Sequence, residues 1–192
     1  MALGARLHHV EVALCDVDRG VYETLDLRIA QHPSESMRYL VTRTLAYCLS
    51  YAEGIAFSKG GVSSSDEAPI SIKDPTGRLL AWIDIGTPSA ERLHKASKAA
   101  ERVAIFTHAE IAQLQREART RPIHKADEID VWRLPPALLD AVAERLERST
   151  KLAVTRTDGQ LYVTVGDATL EAALDRASLV APAPAADGGA RR

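Results

Sequence analysis

Cysteine is nearly absent from this chain: Cys15 and Cys48 are its two thiols, and no CxxC spacing joins them. That excludes a disulfide framework and points to two apolar fillers in a reducing cytoplasm. No apolar run approaches the roughly 18 residues that a membrane span requires. The start, Met1-Ala2-Leu3-Gly4-Ala5-Arg6, lacks a long apolar h-region, so no signal peptide is expected and the expected address is cytoplasmic, with no membrane partner. Charge of one sign is lacking too. A formal net charge of −2 excludes a surface coated in basic residues for tight, non-specific nucleic-acid binding, while leaving room for a local basic cleft. GxxxxGK[ST] and GxSxG are both missing, which removes the phosphate-binding loop and the nucleophile elbow. The histidines supply no metal set: His8 and His9 alternate to opposite faces of a strand, and His94, His108 and His124 lack ligand spacing.

What is present suits a soluble globular protein. At 192 residues, 46% of them hydrophobic, the chain can build one sizeable core. One domain over residues 1–180 is expected, followed by an Ala/Pro-rich tail, 181–192, expected to be disordered. Residues 5–14 and 19–31 alternate around a Cys15-to-Gly20 turn and predict an antiparallel hairpin. Pro33 stops the second strand, Ser34 is the expected N-cap, and Glu35 to Ala52 has helical spacing. A short strand at Ile55 and Phe57 leads into a Gly-Gly-Val-Ser-Ser-Ser loop that ends in Asp66-Glu67. Ile70–Ile72 and Leu79–Ile85 flank the turn Asp74-Pro75-Thr76-Gly77 and predict a second hairpin, with Asp74 capping the turn. Helices at 89–101, 109–119 and 136–149 alternate with strands at 103–107 and 128–134, and a last hairpin joins 152–155 to 161–165. This order predicts an α/β (α+β) fold: a mixed central β-sheet flanked by helices.

The chemistry concentrates at Trp82-Ile83-Asp84-Ile85-Gly86-Thr87-Pro88, followed by Arg92 and Lys95. A carboxylate near a strand end, an acidic pair upstream and a lysine on the next helix are the parts of a Mg²⁺-dependent phosphodiesterase. The ion takes one or two carboxylates plus waters, and it neutralises charge on the scissile phosphate. Asp66 or Glu67 before one hairpin strand and Asp84 late on the other can share an ion. Glu35 is a further acidic candidate, and Lys95 can reach back to orient water or to stabilise developing charge. Each residue also has a plainer reading. Asp84 can belong to a half-exposed strand face shared with Trp82, and Glu91 and Lys95 to a surface i,i+4 pair. Glu35 can serve the helix dipole alone, and Asp66-Glu67 can cap a loop.

Several segments occur in an order that resembles one bacterial family. They are His32-Pro33-Ser34-Glu35, Arg43, Phe57-Ser58-Lys59-Gly60, Asp66-Glu67, Trp82-Ile83-Asp84-Ile85-Gly86-x-Pro88, Arg92-Leu93-x-Lys95-Ala96 and Asp130-Val131-Trp132. Together they resemble the YaeQ family over about residues 1–175. The resemblance implies a restriction-endonuclease-like core, a divergent variant of the PD-(D/E)XK nuclease superfamily. Under it, Asp84 matches the second acid of the superfamily motif, Asp66 or Glu67 stands for the first, and Glu35 is the helix carboxylate. The implied metal set is therefore Asp84, Asp66, Glu67 and Glu35, binding Mg²⁺ with Mn²⁺ as substitute. Catalysis falls to Asp84, Glu67 and Lys95, and Arg43, Lys59 and Arg92 hold the phosphates of DNA or RNA. The chain departs from the pattern in two ways. Gly86 stands where the superfamily has its strand lysine, which leaves Lys95 as a relocated one. Asp84 and Thr87 stand where the family tends to have Glu and Gln. A non-catalytic protein that binds nucleic acid or another protein on the same scaffold is the alternative. Geometry discriminates: a convergent acid cluster supports catalysis, whereas Asp84 paired to Arg43 or Arg92 supports a structural role.

Overall fold

The computed structural model describes residues 5–58 and 67–180. The expected tail 181–192, the glycine-serine loop, Lys59 and Asp66 lie outside the described residues. Among the described residues the chain is a mixed α/β fold whose strands divide between two mixed sheets. The first hairpin pairs β1 (Arg6–Asp16) with β2 (Val21–Gln31), Asp16 opposite Val21. A left-handed Gly20, φ 67°, closes its turn, a conformation that costs glycine little. The helix α1 (Met37–Leu49) follows, then the edge strand β3 (Ile55–Phe57). Next come β4 (Ile70–Lys73) and β5 (Leu79–Ile85), antiparallel around the expected turn, where Asp74 accepts from Thr76 and Arg78. Two crossover units then follow in sequence: α2 (Ala90–Ala99), β6 (Arg102–Thr107), α3 (Ile111–Ala118) and β7 (Asp130–Arg133), with β5, β6 and β7 parallel. The helix α4 (Pro136–Ala143) precedes β8 (Ser149–Thr157), β9 (Gln160–Val165), β10 (Ala168–Ala173) and β11 (Asp175–Ser178).

The first sheet has the order β10-β9-β8-β1-β2 and the second β11-β7-β6-β5-β4-β3. The parallel pairing of β1 with β8 brings the beginning and end of the chain together. The larger core lies between the sheets: Val10, Val12, Leu27 and Val154 meet Leu40 and Leu45 of α1, Leu139 of α4, and Ile83, Ile85 and Phe106 of the second sheet. A smaller core lies on that sheet's other face, where Trp82, Ile105 and Val131 pack against Leu93 of α2 and Leu114 of α3. Alternation along β5 therefore decides the site. Ile83 and Ile85 face the first sheet, and Asp84 shares the α2 side with Trp82.

Four local expectations are corrected. Ser34 is not the N-cap: its Oγ is held by His32 Nδ1 at 2.7 Å, and Ser36 caps α1 by accepting from Tyr39 N at 3.1 Å. The helix predicted over 136–149 gives way early, because Ser149 already begins β8. Cys48 is buried, but Cys15 is half-buried on the hairpin rather than a core filler. Two strands, β10 and β11, extend the sheets where the sequence predicted none. Among the described residues no helix is long and apolar enough to cross a membrane.

Candidate functional site

Asp84 is 2% exposed, which rules out the plainer reading of a half-exposed strand face. Its carboxylate is closed in by two donors. Trp82 Nε1 donates to Oδ2 at 2.8 Å, an outcome of strand alternation, because residues two apart share a face. Arg92 Nε donates to Oδ1 at 2.8 Å. Ser89 caps α2 by accepting from Arg92 N at 3.2 Å, which fixes Arg92 in the first turn, directly above the strand end. The same guanidinium lies 5.3 Å from the Trp82 ring centroid and donates through Nη2 to the Glu67 carbonyl at 2.8 Å. Burial pushes the Asp84 carboxyl above the usual carboxylate range, and Arg92 opposes that shift without overcoming it.

A second buried pair joins Glu35, just before α1, to Arg43 within it. Glu35, 8% exposed, accepts from His32 N at 2.7 Å. Arg43 Nη2 lies 3.3 Å from both Glu35 oxygens, with hydrogen-bond geometry to Oε2, and also donates to the Ala30 carbonyl at 2.7 Å. Its guanidinium sits 5.7 Å from the Phe57 ring centroid. Glu35 Oε1 and Arg43 Nε are buried without hydrogen-bond partners. Tyr39 lies between the two pairs: its phenol feels the charges of Arg43, Glu35, Asp84 and Arg92, and burial pushes it up to about 12. A cavity of about 440 Å³ opens beside Trp82, walled also by Phe57, Ser58, Glu67 and Lys73.

The family model for the YaeQ protein matches residues 1–174 of this chain. The chain belongs to the YaeQ family. A YaeQ protein of Escherichia coli (strain K12), described as uncharacterized, is 30% identical over 173 residues, 89% of this chain and 94% of that protein. One from Salmonella typhi, described likewise, is 28% identical over 172 residues, covering 89% and 94%. The crystal structure of YaeQ from Pseudomonas syringae superposes with a TM-score of 0.81 at 29% identity, covering 90% of this chain and 95% of that one. YaeQ from Xanthomonas axonopodis pv. citri gives 0.80 at 26%, covering 93% and 99%.

Within this YaeQ fold the sequence-predicted residues come together only in part. Asp84, Arg92 and the Glu67 backbone form one contact group, and Glu35 and Arg43 form the other. Glu67 itself is exposed, and Lys95 is exposed on α2. Arg43 is buried against Glu35, out of reach of a phosphate. Glu91, offered as a partner for Lys95, lies 3.3 Å from Arg121 instead. Gly86 has φ 84°, and its N–H donates to the Phe106 carbonyl at 2.8 Å. A lysine at that position would be strained by the left-handed backbone, so the turn that ends β5 favours glycine there.

Each buried carboxylate already has a guanidinium in contact, and a cation beside it would be repelled. Among the described residues no group of three or more His, Cys, Asp or Glu side chains converges as a metal set. The sequence reading missed two participants, Tyr39 and the Trp82 indole N–H. Both carried a signal: Glu35, Tyr39 and Arg43 recur at four-residue spacing, and Trp82 is two residues from Asp84 on a strand.

Proposed function

We propose that this chain is a non-catalytic nucleic-acid-binding protein on a nuclease-like scaffold. The observation that carries this reading is the Asp84 carboxylate, both of whose oxygens are occupied, one by Trp82 and one by Arg92. The neighbouring cavity supports it. Half-buried Phe57 offers ring surface, Lys73 brings positive charge to the same wall, and Arg92, lying over the buried Trp82 ring, keeps 19% of its side chain exposed. Ring faces beside cations are what single-stranded nucleic acid uses, by stacking bases and neutralising phosphates. Lys95 adds an exposed cation on the same helix as Arg92. The restriction-endonuclease-like core that the YaeQ resemblance implies is a scaffold that receives a phosphodiester backbone, and binding of this kind needs no Mg²⁺.

One observation favours a second reading, a Mg²⁺- or Mn²⁺-dependent phosphodiesterase drawing on Asp84, Glu67, Asp66 and Glu35 with Lys95 nearby. Glu35 Oε1 is a buried acceptor without a hydrogen bond. This reading requires Arg92 to leave Asp84. Fluorescence anisotropy with labelled single-stranded DNA and RNA, in chelator and then in Mg²⁺, separates the two. Saturable binding in both conditions with intact strands is expected. Cutting that needs Mg²⁺ and is lost in Asp84→Asn would transfer the assignment to the hydrolase. No binding in either condition would sink the nucleic-acid reading.

A further inference from the structure

A second cavity, of about 260 Å³, opens on the other side of the second sheet from α2, on the face turned toward the first sheet. Four arginines line it, and they come from four distant parts of the chain: Arg19 at the hairpin turn, Arg102 at the start of β6, Arg156 on β8 and Arg176 on β11. Their convergence is a product of the fold, since β1 pairs with β8 in one sheet and β11 with β7 in the other. Trp132 and Phe106 form the aromatic floor, nearly parallel at 11°.

Three of the guanidinium groups are fixed in place. Arg19 Nε donates to Asp16 Oδ2 at 2.6 Å, and its terminal nitrogens donate to the Tyr51 and Cys48 carbonyls. Arg156 Nε donates to Asp18 Oδ2 at 3.0 Å, and Arg176 donates to Asp130 Oδ1 at 2.7 and 3.0 Å. Arg156 and Arg176 each lie over the Trp132 ring, 5.2 and 5.3 Å from its centroid. Cation–π contact of this kind holds a guanidinium plane while leaving edge N–H groups to donate elsewhere. The Arg102 side chain is exposed and, among the described residues, has no hydrogen bond or ion pair. Asp16 and Asp18 do not line the cavity, whereas Asp130 does and is already bonded to Arg176. Arg19, Arg156 and Arg176 are balanced by Asp16, Asp18 and Asp130, so the four guanidinium groups leave the cleft one net positive charge, that of Arg102, between low-dielectric walls that strengthen its field.

We propose that this cleft binds a small phosphate-bearing molecule. Several pre-positioned guanidinium groups match the charge and the multiple acceptor oxygens of a phosphate. The cavity volume suits a phosphate with a small carrier better than a polymer. The source of the phosphate is either the free ion or a phosphomonoester such as a mononucleotide. The site stands apart from Asp84, Arg92 and the Phe57–Trp82 cavity, so it is independent of the function proposed above.

Calorimetry on the full chain at low ionic strength, with inorganic phosphate and separately with adenosine monophosphate, tests the assignment. One saturable site is expected. Arg102→Gln should weaken it about tenfold, as loss of one charge-assisted contact does, and Arg176→Gln comparably. The melting temperature of Arg102→Gln should stay unchanged, because its side chain is exposed without partners. Arg28→Gln, exposed on β2, should bind as the parent does. Tighter binding of the mononucleotide identifies a phosphomonoester as the ligand, and equal binding identifies the free ion. Absence of saturable binding by either probe, or affinities untouched by both cleft variants, would overturn the proposal.

Discussion

Deleting the Arg92 guanidinium strands a buried carboxylate, and the cost can be worked from the geometry. In Arg92→Gln, Asp84 keeps the Trp82 indole on Oδ2 and loses the charged donor on Oδ1. Breaking a sealed ion pair by removing one partner costs about 3–5 kcal/mol, because the other charge stays buried. Arg92 keeps 19% side-chain exposure against 2% for Asp84, so water can enter from the arginine side, and a loss of about 2–3 kcal/mol at neutral pH is expected. Asp84→Asn in the Arg92→Gln background should recover about 1–2 kcal/mol, since a neutral amide needs no counter-charge. The pH dependence has a definite sign. Burial already holds the native Asp84 carboxyl above its ordinary value. Between those two values the folded state binds more protons than the unfolded one, and stability falls as pH rises through the window. Without Arg92 the native value climbs further and the window widens. The deficit of Arg92→Gln should therefore shrink on mild acidification and disappear below the ordinary carboxylate range, where Asp84 is protonated in both states. Urea unfolding followed by circular dichroism, over a pH series, measures this. A deficit below about 0.5 kcal/mol at neutral pH, or one flat with pH, would refute the reasoning. It would mean that water or a cation reaches Asp84, which returns the metal reading to favour.

Three further outcomes follow from single contacts. Gly54→Ala should cost more than about 2 kcal/mol in the same unfolding assay, because φ is +83° and the new Cβ would lie 1.9 Å from the Lys73 carbonyl oxygen. Tyr39, pushed up to about 12 by burial, should ionise well above an ordinary tyrosine in an ultraviolet titration. Since its folded value exceeds the unfolded one, native stability should fall as pH rises above the unfolded value, and Tyr39→Phe should flatten that alkaline slope. Cys48, buried with its thiol pushed up to about 12, should resist a thiol-specific disulfide reagent until the chain unfolds. Half-buried Cys15 should react first, so simultaneous labelling of both thiols in the native protein would count against the packing of α1.

The hairpins were legible because their information is local. Alternation in Leu7-to-Leu14 and Leu25-to-Ile29 pairs across a short turn, and Asp74-Pro75-Thr76-Gly77 announces the β4–β5 reversal. The division into two sheets was not legible, because it rests on β1 meeting β8 in parallel, a contact between opposite ends of the described chain. The strands β10 and β11 escaped for a different reason. Ala168–Ala173 carries Leu170 as its one large apolar residue, and its residues are half-buried at best. Tertiary pairing overrides weak local propensity there: β10 is held by the ladder to β9 and β11 by the ladder to β7.

For the site, the sequence placed the residues and left two sets of partners open for Asp84, a shared ion or an arginine. Asp84, Arg92, Glu35 and Arg43 all gather near one end of β5, as motif order suggested, but the carboxylates point at arginines rather than at a shared ion. The reason lies in residues flanking the motif. A glycine with φ 84° at position 86 turns the chain where a strand lysine would otherwise project, and Ser89 then starts α2 so that Arg92, in its first turn, falls over Asp84. One backbone turn thus accounts for both the glycine at position 86 and the arginine that becomes Asp84's cationic neighbour. A fixed guanidinium differs from a metal in chemical consequence: it binds an oxyanion and neutralises a carboxylate, but it carries no water whose proton it can labilise.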